Sequence, residues 1–329
     1  MKHSLNFLKL LTFTTAVALT SSVKLAAQNK DKNTAMGTSM MNHNPSGQKL
    51  DIAKIESILG IKGVEKNGEY KVTVPQNDLD IEVDGFKIIP PMGLGSWIAF
   101  TPTKDGAMIM GDIIITETDL KPVQFEVIKQ GLTITAIHNH FVRNHPNVMY
   151  MHIGGSGSAE AIATKAKAVL DKVKEMRGGD PSKGSFAGRK VENTIDTKKL
   201  DTILGITGDM NNGVYKYTIG RPDAPITEHG IPISTFFGYN TWIAIQGTNE
   251  NAAIAGDFAM QEDEVAPVIK ALIENGIEVV AVHNHMVQEK PHVFFLHYWA
   301  VGKAEDLVKS IKLALDQTGK NAKKMKMQH

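Results

Sequence analysis

Three histidines recur in each half of the chain at a spacing that suits a metal site. His138 and His140 are two residues apart, and His152 follows in the next predicted strand. The same residue types recur at a constant offset of 145 residues, as His283, His285 and His297. Because imidazole nitrogens bind zinc and copper, the pattern predicts a transition-metal site in each half, with two histidines from one strand and a third from its hairpin partner.

The other metal ligands must come from a restricted set, because the sequence contains no cysteine. Thiolate ligands, disulfides and cysteine nucleophiles are thereby excluded. Asp112 and Asp257 each follow a glycine in a predicted strand. They are the catalytic candidates. Each could be a fourth metal ligand, could orient a histidine, or could act as a general base. The alternative is that both are ordinary strand or turn acids.

Other matched and unmatched residues have structural explanations. Glu117 and Glu262 stand where a helix is predicted to begin, and a helix N-terminus stabilises a carboxylate. His145 and His292 have no counterpart in the other half, which makes them poor candidates for a shared site.

The alternation of side chains in a strand predicts where the histidines point. Leu132 and Ile134 have the same parity as His138 and His140, so the histidines are expected to extend the inward-facing apolar row. An antiparallel hairpin with the next strand would place His152 opposite His138 or one diagonal away. A hydrogen-bonded core cluster without metal is the alternative interpretation.

The offset of 145 residues holds from about Asp51 to the last predicted helix without an insertion. Each copy is too long for a solenoid repeat, so we expect two homologous domains, and we hypothesise that they pack about a pseudo-twofold axis. Each copy contains a short helix, several β segments, a helix, a hairpin and a final helix. This order predicts an α+β fold in which each domain has a largely antiparallel sheet with helices packed on it. Trp97 and Trp242, matched within apolar strands, are expected in the core.

The ends of the chain differ from the repeats in composition. Lys2 and Lys9 flank an apolar stretch, and small residues follow up to Ala27, which is typical of a secretory signal peptide. We therefore expect a periplasmic or secreted protein with no membrane span after cleavage. The predicted order is a signal peptide at 1–27, a disordered leader at 28–48, the first repeat at 49–176, a flexible linker at 177–194, the second repeat at 195–319 and a disordered tail at 320–329.

The second repeat also carries the residues of a family resemblance. Gly256-Asp257, His283-Asn284-His285-Met286 and His297-Tyr298-Trp299 resemble the LppY/LpqO family of bacterial secreted proteins, and the resemblance extends to the first repeat. The first copy departs from the pattern at His152-Ile153-Gly154-Gly155, where the aromatic pair Tyr298-Trp299 is replaced. The resemblance implies an envelope location, a less typical pocket in the first copy and a better candidate for activity in the second. The family has no known function, so no chemistry is implied.

Three functions remain open from the sequence. The first is a periplasmic protein that binds zinc or copper at the histidine sites. The second is a metal-dependent hydrolase with Asp112 or Asp257 as base. The third is a non-catalytic module that binds an envelope component or another small molecule without metal. A net charge of +1 argues against a nucleic-acid partner, and no nucleophile elbow, phosphate loop or dinucleotide fingerprint occurs.

Overall fold

Each repeat folds from the same order of helices and strands. The computed structural model describes residues 48–319. The helices of the first repeat are α1 (Ile52–Leu59), α2 (Leu120–Lys129) and α3 (Ala159–Arg177). Its strands are β1 (Val64–Lys66), β2 (Glu69–Pro75), β3 (Glu82–Val83), β4 (Phe86–Lys87), β5 (Gly95–Thr103), β6 (Gly106–Thr116), β7 (Thr133–His138) and β8 (Val148–Gly157).

The second repeat continues the series. Its helices are α4 (Thr197–Leu204), α5 (Val265–Glu274) and α6 (Ala304–Leu315). Its strands are β9 (Asp209–Asn211), β10 (Val214–Gly220), β11 (Thr227–Glu228), β12 (Ile231–Pro232), β13 (Asn240–Gly247), β14 (Ala252–Gln261), β15 (Glu278–His283), β16 (Glu289–Lys290) and β17 (Val293–Gly302). Short 3-10 helices lie at Pro90–Met92, Pro181–Lys183 and Glu262–Glu264.

Two six-stranded sheets form the frame of the protein. The first has the order β1-β2-β5-β6-β8-β7, and the second has the equivalent order β9-β10-β13-β14-β17-β15. Neighbouring strands in both sheets are antiparallel. The predicted α+β class, with two homologous domains that each place helices on an antiparallel sheet, is confirmed.

The first helix of each repeat begins and ends at the residues that the sequence indicates. The Asp51 carboxylate accepts a hydrogen bond from the Lys54 amide at 3.0 Å, and Gly60 ends α1 in the left-handed conformation. Asp196 and Gly205 do the same for α4. A capping carboxylate satisfies an amide that the helix leaves free, and glycine adopts a positive φ without a Cβ penalty.

The two faces of each sheet have different neighbours. In β6, Ile109 and Ile113 pack with the helices of the first repeat, whereas Met108 and Met110 pack on residues of the second repeat. Successive side chains of a strand point to opposite faces, so one face of the sheet meets helices and the other meets the second sheet. The described chain is therefore layered as helices, sheet, sheet and helices.

A β-bulge in β7 changes the face on which the histidines lie. Ile134 pairs with Ile153 on the helix-covered face, but after the bulge His138 pairs with Tyr150, which faces the second sheet. The prediction that the histidines extend the row of Leu132 and Ile134 is therefore wrong. One extra residue reverses the facing of every residue after it.

The second repeat has the same irregularity. The pairing of β15 with β17 shifts between Val279 and Ala281, so His283 also faces the other sheet. Both strands end at the first histidine of the motif, and His140 and His285 lie two residues beyond. The bulge is thus part of the repeated architecture and brings all these histidines between the sheets.

The segment between the repeats is held by hydrogen bonds to both of them. The Phe186 amide donates to the Asn77 carbonyl at 2.9 Å, and the Val191 amide donates to the Asn212 carbonyl at 2.9 Å. Within the predicted linker at 177–194, Phe186 is therefore bound to the first repeat and Val191 to the second.

The predicted signal peptide at 1–27, the predicted leader except for its last residue, and the predicted tail at 320–329 lie outside the described residues. Within residues 48–319, no helix is long and apolar enough to cross a membrane.

Candidate metal centre

The six predicted histidines lie together in one cluster between the facing sheets. Each is at most 7% exposed. His138 stacks on its counterpart His283 with ring centroids 3.8 Å apart. His140 of the first repeat lies 3.8 Å from His297 of the second. The sequence predicts a histidine set in each repeat, whereas the structure brings both sets to one place.

The contacts between the repeats are reciprocal. The ring centroids of His152 and His285 are 4.1 Å apart, which mirrors the approach of His140 to His297. Reciprocal contacts of this kind, with one residue meeting its own counterpart, are typical of a twofold interface. The two repeats are therefore related by a pseudo-twofold axis that passes near the stacked pair of His138 and its counterpart.

Two backbone carbonyls determine which nitrogen of a histidine is available. Nδ1 of His152 lies 3.2 Å from the Gly111 carbonyl, and Nδ1 of His297 lies 3.0 Å from the Gly256 carbonyl. A carbonyl only accepts, so each Nδ1 carries the proton and donates it. The Nε2 of each ring is then left with a lone pair, and this arrangement is typical of metal-binding histidines.

Several ring nitrogens in the cluster have no hydrogen-bond partner within residues 48–319. They are both nitrogens of His138 and His283, the Nε2 atoms of His152 and His297, and the Nδ1 atoms of His140 and His285. Leaving a buried polar atom unpaired costs about 1–3 kcal/mol, so a buried cluster with several such atoms calls for a ligand.

Burial also keeps the six imidazoles neutral. Desolvation lowers the pKa of every histidine in the cluster, and for five of them the neighbouring histidines lower it further. At His152 the effect is smaller, because the Asp112 carboxylate and the Gly111 carbonyl raise the pKa. The neutral imidazole is the form that binds a metal, so the cluster is in its ligating state at neutral pH.

Three groups of side chains place one ligand atom each within 4.8 Å of the others. They are His138, His140 and His297; His138, His152 and His283; and Asp257, His283 and His285. Two of these three groups draw on both repeats. His138 belongs to the first and second groups and His283 to the second and third, so the groups overlap at the two stacked histidines.

The two candidate carboxylates approach the second histidine of each motif. Oδ2 of Asp112 is 3.6 Å from Nε2 of His140, and Oδ2 of Asp257 is 3.4 Å from Nε2 of His285. Burial raises the pKa of both carboxyl groups. Oδ1 of Asp257 accepts a hydrogen bond from the Leu296 amide at 3.0 Å. Both acids therefore lie at the histidine cluster, at equivalent places on β6 and β14.

Aromatic rings hold the second histidine of each motif in place. The Tyr150 ring stacks on His140 with centroids 3.4 Å apart, and Phe295, its counterpart, stacks on His285 at the same distance. The sequence analysis assigned these aromatic residues no role beyond their strand. Their position two residues before the third histidine was the available signal.

A cavity of about 520 Å³ opens beside the cluster and is lined by both repeats. Trp97 and Trp242 form two of its walls, and their rings lie 6.3 Å from His152 and 6.1 Å from His140. Both tryptophans are only partly buried. They are therefore wall residues of the cavity, although they also contact the apolar core as expected.

Two lysines in this cavity were not among the residues predicted from the sequence. Nζ of Lys71 lies 4.4 Å from the centroid of Trp97, and Nζ of Lys216 lies 4.2 Å from the centroid of Trp242. Desolvation lowers the pKa of each lysine to about 8. The signal that would have found them is their match at the offset of 145 residues, two positions before a matched threonine.

The remaining candidates lie away from the cluster. Glu117 accepts a hydrogen bond from the Asn147 side chain at 3.0 Å. Glu262 lies in the first turn of a 3-10 helix. The backbone of His145 pairs with β3, and the side chain of His292 is 67% exposed. None of them contributes to the histidine cluster.

The comparison with known families identifies the repeats. A family model described as Domain of Unknown Function (DUF1259) matches residues 53–172 and again residues 198–317. The protein belongs to this DUF1259 family. It contains two tandem DUF1259 domains, and their matched ranges include all six clustered histidines.

Comparisons with individual proteins add little to the family assignment. No curated protein matches the chain. Among solved structures, EtuB from Clostridium kluyveri is similar with 6% sequence identity and a TM-score of 0.21, over 80% of this chain and 93% of that one. A trimeric bacterial microcompartment shell protein, PduB, is similar with 10% identity and a TM-score of 0.18, over 77% of this chain and 88% of that one. At such TM-scores neither supports an inference.

Proposed function

We propose that the protein binds zinc or copper at a single histidine centre that its two DUF1259 domains build together. The observation that carries the proposal is the set of unpaired, neutral ring nitrogens that converge from both repeats. Imidazole suits both metals, and the chain has no cysteine that would favour a thiolate site.

A purely structural histidine cluster explains the geometry less well. Buried polar atoms in folded proteins are nearly always hydrogen-bonded, and a core that only needed packing would use apolar side chains here. Here His138 and His283 have no partner for either nitrogen within residues 48–319. A bound cation would accept the lone pairs of these unpaired nitrogens.

Elemental analysis of protein purified without chelator or affinity tag tests the proposal. We expect one transition metal to predominate, and His138→Ala and His283→Ala should each lower the metal content of the whole protein. If each repeat held its own site, either variant would remove one ion and leave the affinity for the other unchanged.

The matched control is His292→Ala, which removes an exposed histidine outside the cluster. This variant should retain the full metal content. Native protein that takes up neither zinc nor copper after incubation with both would overturn the proposal and favour a metal-free binding module.

Metal-dependent hydrolysis is the second candidate function. It is supported by the cavity beside the centre, whose lining includes Asp112 and Asp257. A buried carboxylate with a raised pKa is a stronger base when ionised, and there it would accept a proton from an attacking water. Hydrolysis of p-nitrophenyl phosphate or acetate by metal-loaded protein would support this function if it were lost in Asp257→Asn without loss of metal. Equal rates with the native protein and the variant would refute the role of Asp257.

We also propose that the protein is exported to the periplasm or beyond. Lys2, the apolar stretch that follows and the small residues before Gln28 support this location. Mass spectrometry of the N-terminus of protein recovered from the cell envelope fraction provides the test. A mature chain that still begins at Met1 in the cytoplasm would contradict it.

A further inference from the structure

The cavity beside the histidine centre has a floor and walls of different chemistry. Asp112, His140 and His152 with their counterparts line its floor. Lys71 and Thr73 of β2 line one wall, and the equivalent residues of β10 line the opposite wall. A ligand in this space would therefore contact both the centre and the two strands.

The lysine and the threonine that line the cavity from β2 have identical counterparts on β10. Lys71 matches Lys216, and Thr73 matches Thr218, at the same offset as the histidines. Elsewhere the lining differs between the repeats, for example at Gly95, where the second repeat has an asparagine. The two halves of the cavity thus retain the same positive and hydroxyl groups on opposite walls.

Neither cavity lysine forms an ion pair with an acid within residues 48–319, and the nearby carboxylates of Glu69 and Asp257 act on Lys71 and Lys216 only from beyond that distance, where each raises the pKa of its lysine. Within residues 48–319, no carboxylate lies within ion-pair distance of Lys71 or Lys216, whereas many other lysines of the protein have such a partner. Each ammonium group instead lies over the face of a tryptophan, at 4.4 Å and 4.2 Å from the ring centroids. Cation–π contact fixes the position of a charge without cancelling it, so both groups remain able to bind an anion.

The cavity also contains acids, but they lie at its floor and edge. Asp112 and Asp257 are directed at the histidines, 3.6 Å and 3.4 Å from them. Asp209 and Lys66, the remaining charged lining residues, belong to the short strands β9 and β1. The charges are therefore segregated, with carboxylates at the histidines and ammonium groups on the facing walls.

We infer that this cavity binds a small dianion, a phosphate or a dicarboxylate, between the ammonium groups of Lys71 and Lys216. The inference deepens the proposed function, because it names what the metal centre would meet, but the lysine clamp itself is built without the metal. Two facing cations favour a ligand with two negative charges or with charge spread over several oxygens. The threonine hydroxyls add donors to the same oxygens.

Calorimetric titration of the protein with inorganic phosphate, and separately with malonate, tests the inference. Both metal-loaded and chelator-treated protein should bind at least one of the two probes. Binding of phosphate alone would identify a tetrahedral oxyanion, and binding of malonate alone a dicarboxylate. Failure of both probes to bind either form of the protein would overturn the inference.

Lysine variants test whether the clamp is responsible. Lys71→Met and Lys216→Met should each weaken binding about tenfold, since each removes one charge-assisted hydrogen bond. Lys104→Met removes an exposed lysine from the turn between β5 and β6 and should leave binding unchanged. Lys71→Arg retains the charge and should retain most of the affinity, which separates loss of charge from loss of folding.

The outcome for the metal is measured on the same samples. Lysine variants that keep their metal but lose anion binding support both proposals. Native protein that takes up neither zinc nor copper after incubation with both, but still binds phosphate through the lysines, would refute the metal function and leave the clamp intact. Anion binding that is unchanged in a variant carrying both Lys71→Met and Lys216→Met would show that the anion binds the metal instead, and it would refute the clamp.

Discussion

The two flanks of the histidine centre are built from equivalent positions but differ completely. On the closed flank, the positions hold Asp84, Arg143, Glu278 and Trp299. On the open flank, the residues at the matching positions are His229, Gln288, Thr133 and Gly154.

The closed flank is filled and cross-linked. Nε1 of Trp299 donates to Oδ2 of Asp84 at 2.9 Å, and Arg143 forms hydrogen bonds with both Asp84 and Glu278. These four residues come from both repeats, so the network joins one repeat to the other. The Trp299 ring also packs edge-on against Phe141 with centroids 5.4 Å apart.

The open flank contains a cavity of about 350 Å³ in place of the indole. Gly154 and Gly155 line it together with three methionine side chains, those of Met108, Met110 and Met286. The comparison teaches that duplication preserved the centre on both sides of its axis, whereas the flanks diverged. The replacement of Trp299 by Gly154 in the first repeat therefore changes a flank and leaves its histidines in the shared centre.

Removing the indole from the closed flank should have the largest effect. Trp299 is 2% exposed, and Trp299→Ala should lower the free energy of unfolding by about 3–5 kcal/mol, because it creates a cavity and removes the indole donor to Asp84, which keeps only its hydrogen bonds from Arg143. Chemical denaturation followed by circular dichroism measures this loss. A loss below about 1 kcal/mol would show that the closed flank relaxes to the state of the open one.

Removing the charge of Arg143 should have an intermediate effect. Arg143 is half exposed, so Arg143→Met should cost about 1 kcal/mol of unfolding free energy despite its hydrogen bonds to two carboxylates. Gln288→Met is the matched control on the open flank, and we expect no measurable loss from it. Equal losses in the two variants would contradict the proposed difference between the flanks.

The stability lost in Arg143→Met should depend on pH. Hydrogen bonding to Arg143 holds the pKa of Asp84 below its usual value. The stabilisation is then fully present above the pKa of an unfolded aspartate, about 4, and is lost as the pH falls through the lower folded value. The stability difference between native protein and Arg143→Met should accordingly shrink below about pH 4 and remain constant between pH 5 and 7.

The smallest effect is expected at the glycine that replaces the indole. A Cβ at Gly154 would meet its nearest neighbour, the Ile109 carbonyl, at 3.8 Å, which is an ordinary contact. Gly154→Ala should therefore change the unfolding free energy by less than about 0.5 kcal/mol. Thermal unfolding provides the measurement, and a loss above about 1 kcal/mol would show that the open flank is tightly packed.

The fold was predictable because the same residue pattern occurs in both repeats. One offset relates Asp51 to Asp196 and His138 to His283, so each element assigned in one repeat was checked by the other. Composition and turn residues were then sufficient for the α+β class. The association of both repeats in one centre was not predictable, because local patterns carry no information on which faces of two sheets meet.

The details of the site were predictable only in part. The residue types of the centre follow from the repeated motif, but the bulge before Ala136 interrupts the alternation on which the facing of His138 was predicted. No residue type at this position indicates a bulge. Lys71 was missed for another reason: a lysine in a strand is ordinarily solvated, and the contact of Lys71 with Phe236 of the second repeat depends on packing between the repeats.

Because His138 contacts its own counterpart, the centre requires two repeats. A polypeptide with a single repeat would present half of the ligands on an exposed sheet face and would complete the centre only by forming a homodimer. Its metal affinity would then depend on protein concentration. Joining the repeats through a tethered segment makes the encounter intramolecular, with an effective concentration set by the tether. Fusion therefore frees the centre from dilution, and it also allowed the two flanks to diverge.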